Sequence, residues 1–299
     1  MWHKESVHME LLIEKELSST DKILKPDFNS KSGRELLVFY LQTKFRQILA
    51  YDKRCSTPIL RNVNPDFINR FSRRLINNPS KRLLIGITGE SASGKSTICK
   101  EIKKNIEQMS MPVSVLSTDN YFNDISELIK KYGSFDSLRD AGYDVDAPSS
   151  FQLDTLKEDL LKLAGGHDIK APMYLPNGTG VSVPNANEVL SRKIIVVEGI
   201  ATMYDTVQDI FDIKIYVETE NEIRKNRFIS RAENERNQDP ENALKHWNYL
   251  LEAGNKYVVP FRKQADLILD GNADLAYFAK ILKFIHAVTN NYEKLPSNS

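Results

Sequence analysis

Cysteine is scarce in this chain. Its 299 residues include two, Cys55 and Cys99, far apart in sequence. That excludes a disulfide framework or a thiolate metal knuckle and suits a reducing compartment. The five histidines, His3, His8, His167, His246 and His286, are scattered without ligand spacing, which argues against a zinc site. No apolar run approaches the ~18 residues of a membrane-spanning helix. The amino terminus carries Glu5, Glu10, Glu14 and Glu16 among its apolar residues and does not read as a signal peptide. Charge of one sign is also missing: 41 Lys and Arg face 40 Asp and Glu. No global field therefore draws the chain to nucleic acid or to an anionic membrane. There are no internal repeats and no low-complexity tracts. Together these absences predict a cytoplasmic protein with no nucleic-acid and no membrane partner.

What is present centres on Leu83–Thr97, LLIGITGESASGKST. An apolar run through Leu83, Leu84, Ile85 and Ile87 reads as a buried strand. Gly89-Glu90-Ser91-Ala92-Ser93-Gly94-Lys95-Ser96 then matches the Gly-x4-Gly-Lys-Ser/Thr phosphate-binding loop. Ile98, Ile102 and Ile106 recur every four residues, so a helix follows from Thr97 onward. The residue types suit the chemistry. Gly89 and Gly94 allow a tight turn whose N–H groups form a nest for phosphate oxygens. The helix N-terminus adds positive potential, Lys95 can bridge phosphates, and the Ser96 hydroxyl can ligate magnesium. The expected nucleotide contacts are Gly89, Ser91, Ala92, Ser93, Gly94, Lys95, Ser96 and Thr97, with ATP or another nucleoside triphosphate and Mg2+ as cofactors.

Two further apolar runs end in acids. Pro112–Asp119 closes on Asp119, and Lys193–Gly199 carries Glu198 at its end. In open α/β sheets ligands bind beyond the carboxyl ends of strands. Asp119 is therefore expected beside the phosphate loop, and Glu198 is expected to hold the metal with Ser96. Tyr121 and Phe122 are expected on a loop, where they can pack against a flat or apolar substrate group. Residues 133–151 read as a long polar binding loop. A helix is predicted from about Leu153 to Leu163, a hairpin tip at Asn177–Gly180, and strands at Phe211–Glu218 and Pro260–Leu269. Arg224, Arg227 and Arg231 share one face of a helix over 223–237. Arg224 reads as part of a solvated basic face, whereas Arg231 and Arg236 suit closure over a transferring phosphoryl group. A closing amphipathic helix is predicted through Leu275, Phe278, Ile281, Leu282, Ile285 and Val288.

Residues 1–80 read as a mostly helical amino-terminal extension, which either packs on the following domain or mediates homo-oligomerisation. One helix is predicted across Arg34–Tyr51. Another is predicted after Asn64-Pro65, with Phe67, Ile68, Phe71, Leu75 and Ile76 on one face. Residues 81–299 read as the kinase domain.

Taken together, GITGESASGKST, STDNYF, DAPSSF, PMY, IIVVEGI, RFISRAENER and PFRKQADLIL resemble the uridine kinase, phosphoribulokinase and pantothenate kinase branch of phosphate-loop kinases. The order is the family's, over residues 82 to about 270, and uridine kinases are nearest. The resemblance implies an α/β, three-layer, phosphate-loop fold with a mostly parallel sheet, and ATP-dependent phosphorylation of a small nucleoside-like acceptor. It further implies Asp119 as general base, Asp146 as holder of ribose hydroxyls and Tyr174 against the base. Lys95, Arg231 and Arg236 would be the catalytic cations. After Tyr174 the chain reads Leu175-Pro176-Asn177, where uridine kinases usually carry Asp and then His-x-Arg. The acceptor thus stays open among uridine or cytidine, pantothenate and another small hydroxyl compound, as does a degenerate ATP-binding regulatory protein.

Overall fold

The computed structural model describes residues 30–53, 59–78, 82–108, 112–175, 178–236 and 239–272. The helix expected through Leu275–Val288 lies outside the described residues. Six strands form one sheet in the order β1 (Leu60–Val63), β8 (Leu267–Asp270), β7 (Ile213–Glu218), β2 (Leu83–Thr88), β6 (Ile194–Glu198) and β3 (Val113–Ser117). Every pairing is parallel except β1 on β8, which is antiparallel. The expected mostly parallel α/β architecture is what the chain adopts.

The sequence of the central strands explains the layering. They are apolar at nearly every position because both faces are covered. Ile85, Ile87, Val196, Ile215 and Leu269 point into one core, shared with α1 (Lys31–Asp52), α2 (Phe67–Asn77) and α3 (Lys95–Gln108). Their neighbours Leu84, Ile195, Val197, Tyr216 and Ile268 point into the other, against α6 (Leu153–Ala164) and the segment from Ile200 to Phe211. Ile98, Ile102 and Ile106 are the buried stripe of α3, as their spacing predicts. Near the glycine of β2, a Cβ on Gly86 would meet the Phe211 ring at 2.9 Å, so only glycine lets that ring cover the strand.

A second, two-stranded sheet pairs β4 (Ile169–Tyr174) with β5 (Ser182–Val189) as a hairpin; of its expected tip, Gly178–Gly180 are described and Asn177 lies outside the described residues. Two short helices, α4 (Ser126–Tyr132) and α5 (Phe135–Asp140), follow β3. The long polar stretch 133–151 therefore contains a helix and a 3-10 turn at Pro148–Ser150 as well as loop. The helix pair α7 (Asn221–Arg236) and α8 (Pro240–Tyr257) has its own small core of Phe228, Ala232, Ala243 and Trp247. Pro260–Gln264 is 3-10 helix rather than strand, so β8 is shorter than the apolar run suggested.

The amino-terminal segment is not wholly helical. It adds β1 to the main sheet, and Val38, Leu41, Phe45, Phe67, Phe71 and Leu75 enter the same core as the central strands. α2 begins two residues later than its Asn64-Pro65 start signal. The Asn64 side chain accepts the Asp66 N–H at 3.0 Å and shapes the turn before the helix instead of capping it.

Candidate active site

Parallel pairing sets the height of each functional group. β6 lies between β2 and β3, and its register puts Glu198 level with Ile87 on one side and Ser117 on the other. The phosphate loop leaves β2 one residue after Ile87's neighbour Thr88, and Asp119 follows β3 in a 3-10 turn (Thr118–Tyr121). Three strand ends thus deliver a loop, a carboxylate and a second carboxylate to one edge of the sheet.

The loop folds as a nest. Gly89, Ala92 and Gly94 have positive φ (149°, 61° and 103°), which turns successive N–H groups inward. A Cβ on Gly89 would overlap the Val217 carbonyl, so glycine is required there on two counts. The Lys95 ammonium donates to the Gly89 carbonyl at 2.7 Å and the Glu90 carbonyl at 3.1 Å, spanning the loop it serves. Burial lowers its pKa, while Glu198, Asp119 and Asp146 act in the opposite direction. Ser91, Ala92, Ser93, Gly94, Ser96 and Thr97 complete the loop and the first turn of α3, as expected.

Glu198 accepts from the Ser96 hydroxyl at 3.3 Å through one oxygen and from Ser117 at 2.9 Å through the other. Ser117 also accepts the Asp119 N–H at 3.4 Å and so links the two acids. Asp119 reaches solvent at the cleft mouth but is walled by protein, and that environment, with Glu198 nearby, pushes its pKa up to about 6. Asp146 is buried; desolvation and the charges of Asp119 and Asp144 push it up to about 6 as well. Its backbone is fixed by Tyr204, whose hydroxyl donates to the Asp146 carbonyl. Lys95, Asp119, Asp146 and Glu198 therefore form one electrostatic cluster.

Beside it Phe122 and Tyr174 are half-buried, with ring centroids 5.3 Å apart, and Phe122 packs on Phe151 at 4.3 Å. This is an aromatic wall. Tyr121 does not belong to it. Its ring is fully buried and its hydroxyl donates to Asp159 at 2.8 Å, so the expectation that it meets substrate is wrong. In a 3-10 turn residues three apart share a face, so Tyr121 lines up with the buried Thr118 on the core side while Asp119 is exposed.

The arginines also differ from expectation. Arg231 is exposed and its Nε donates to the Arg227 carbonyl of its own helix at 3.4 Å. The side chain of Arg236 lies outside the described ones. Arg224, expected on a solvated face, is fully buried. It pairs with Glu90 at 2.7 Å, donates to the Ser91 carbonyl at 3.0 Å and lies 5.3 Å from the Trp247 ring centroid. It buttresses the phosphate loop from below. Arg227 donates to Asn272 at 2.6 Å, and a Cβ on Gly94 would lie 3.7 Å from its Nη1. Tyr204 and Ser117 are residues that the sequence left unmarked, and Arg224 is one that it assigned to the wrong surroundings.

Among the described residues no cluster of three or more His, Cys, Asp or Glu could hold a metal ion alone. The Ser96 and Glu198 oxygens, 3.3 Å apart, are hard donors suited to magnesium.

Comparison with known proteins supplies the chain's relatives. The profile of the phosphoribulokinase / uridine kinase family matches residues 84–275. A uridine kinase of Staphylococcus haemolyticus is 34% identical over 192 residues, which are 62% of this chain and 86% of that protein. Uridine-cytidine kinase A of Dictyostelium discoideum is 29% identical over 205 residues, 68% of this chain and 38% of that protein. Among solved structures, a kinase ascribed to a fructose transport system in Silicibacter sp. TM1040 aligns with TM-score 0.53 at 17% identity, covering 76% of this chain and 98% of that one. That likeness concerns the fold.

Proposed function

The chain belongs to the phosphoribulokinase / uridine kinase family, and from that premise we propose that it transfers the γ-phosphoryl of ATP to the 5′-hydroxyl of uridine or cytidine. The observation that carries the reading is the convergence of Lys95, Asp119, Asp146 and Glu198 beyond adjacent strand ends. The names of the relatives support the nucleoside acceptor.

In this reading the loop N–H groups and Lys95 hold the β- and γ-phosphates. Ser96 and Glu198 would hold magnesium, which supplies charge neutralisation when bound. Asp119 accepts the proton of the attacking hydroxyl. A base works best with a pKa near the operating pH, and about 6 leaves Asp119 ionised yet basic at neutral pH. Asp146 accepts hydrogen bonds from the ribose hydroxyls, and Phe122 and Tyr174 flank the pyrimidine. Arg231 and Arg236 act as lid cations only after α7 closes toward the nucleotide. The small-molecule acceptor is then the partner, in a cytoplasmic setting.

ATP consumption with magnesium, measured against uridine, cytidine, pantothenate and glycerate, tests the proposal. Turnover dependent on a pyrimidine nucleoside is the expected result. Turnover with pantothenate alone would reject the acceptor but keep the chemistry, and nucleotide binding with no turnover would make the chain a regulatory one.

A further inference from the structure

At the opposite end of the strands lies a hollow of about 270 Å3 that the reaction does not use. Its walls come from α2 (Arg70, Phe71, Arg74) and from the approach to β7 (Gln208, Asp209, Phe211, Asp212, Lys214). The phosphate loop follows the carboxyl end of β2, whereas Asp212 meets Leu84 near its amino end. At ~3.3 Å per residue the two sites stand most of a strand apart. The family match begins at residue 84, so the α2 wall belongs to the part of this chain that the family does not supply.

The charges of the hollow are unequally committed. Asp212 spends both oxygens, on Arg74 at 2.7 and 2.9 Å and on the Leu84 N–H at 3.0 Å. Arg74 also donates to the Arg82 carbonyl. Arg70 gives Asp266 one contact, at 2.6 Å, and its side chain remains 53% exposed. The half-buried Lys214 makes no side-chain hydrogen bond or ion pair among the described residues. Asp209 is an exposed acid on the rim. Among the described lining residues Asp209 is the one uncommitted acid; against it stand Lys214 and the spare donors of Arg70, so the uncommitted groups are mostly cationic. The buried rings of Phe71 and Phe211 supply an apolar floor.

We propose that this hollow is a second binding site, for a small metabolite that carries a phosphate ester or a carboxylate on a short carbon frame. Guanidinium and ammonium groups are the donors such anions pair with. The volume lies below the ~300–1,000 Å3 usual for drug-sized ligands, which favours a small anion over a nucleotide.

Because phosphate also binds the phosphate loop, the test fills that loop first. The full chain, saturated with a non-hydrolysable ATP analogue and magnesium, is titrated calorimetrically with inorganic phosphate and, separately, with succinate. Saturable binding of one probe is expected, weakened about tenfold or more in Lys214→Met and in Arg70→Gln, with affinity for the ATP analogue unchanged. Arg70→Gln takes the guanidinium from the buried Asp266 and will lower the melting temperature, so each titration is run well below the variant's own melting temperature, and Lys214→Met, which breaks no pair among the described residues, is the deciding variant. Preference for phosphate would identify a phosphate ester and preference for succinate a carboxylate. Absence of binding with both probes, or binding that survives Lys214→Met, overturns the proposal.

Discussion

The two ends of the main sheet treat acidic residues in opposite ways. At the amino end, Asp212 and Asp266 each hold an arginine and also accept backbone N–H groups, from Leu84 and Lys214 respectively. At the carboxyl end, among the described residues, Asp119, Asp146 and Glu198 share Lys95 as their close cation, and the two aspartates are pushed up to about 6. Acids that fasten strands receive partners; acids available to substrates are left short of them. Position alone does not decide which is which. Glu218 also ends a strand, yet Arg262 at 2.6 Å and Arg61 at 3.2 Å hold its pKa down.

The sharpest way to break this contrast is Asp119→Asn. Turnover with uridine should fall about 10³-fold, within the range for loss of a general base, while calorimetry shows ATP affinity little changed. In the parent enzyme kcat/KM should decline as pH drops through about 6, where Asp119 takes up a proton. Stability should respond in the opposite sense. A folded pKa above the unfolded value favours the protonated form, so this contribution is full below about pH 4 and lost as pH rises through about 6. At pH 7.5 the Asn variant should therefore melt at a higher temperature than the parent, and a lower Tm would mean that Asp119 supports the fold after all.

Next in size is Arg224→Met. Removing one partner of a buried pair typically costs ~3–5 kcal/mol, and here Glu90 would be stranded under the phosphate loop. Denaturant unfolding should show that loss, and Glu90→Gln added to it should recover part. Tyr174→Ala should raise the KM for uridine by about ten- to a hundredfold with kcat nearly intact, the scale of one lost base–aromatic contact. An unchanged KM would remove the aromatic wall from acceptor binding. The smallest effect belongs to Arg61→Ala. Its pairs with Glu218 and Asp270 are partly exposed, and such pairs are worth about 1 kcal/mol or less.

What could be read from the chain depended on how local the signal was. The phosphate loop and the acids after β3 and β6 are encoded within a dozen residues each, and the parallel register then brings them together without further instruction. Tyr121 and Arg224 were misread for a common reason. The local sequence places a side chain on a loop or a helix face but does not tell what that side chain meets, and α8 with Trp247 covers the face of α7 that carries Arg224. Asp159, the partner of Tyr121, lies 38 residues away. β1 escaped because four residues, LRNV, with their ends half-buried and their middle exposed, give no alternation to detect.

That short strand has a consequence for the chain's history. By lying antiparallel on β8, it covers that apolar strand and becomes the edge of the sheet itself, a short edge whose Arg61 and Asn62 are exposed. A chain trimmed to the family-matched portion would leave β8 open as an edge, ready to template pairing with another copy. The segment ahead of the phosphate loop is then a guard against self-association rather than a detachable ornament. Light scattering on a chain starting at residue 82 should find large particles where the full chain stays dispersed.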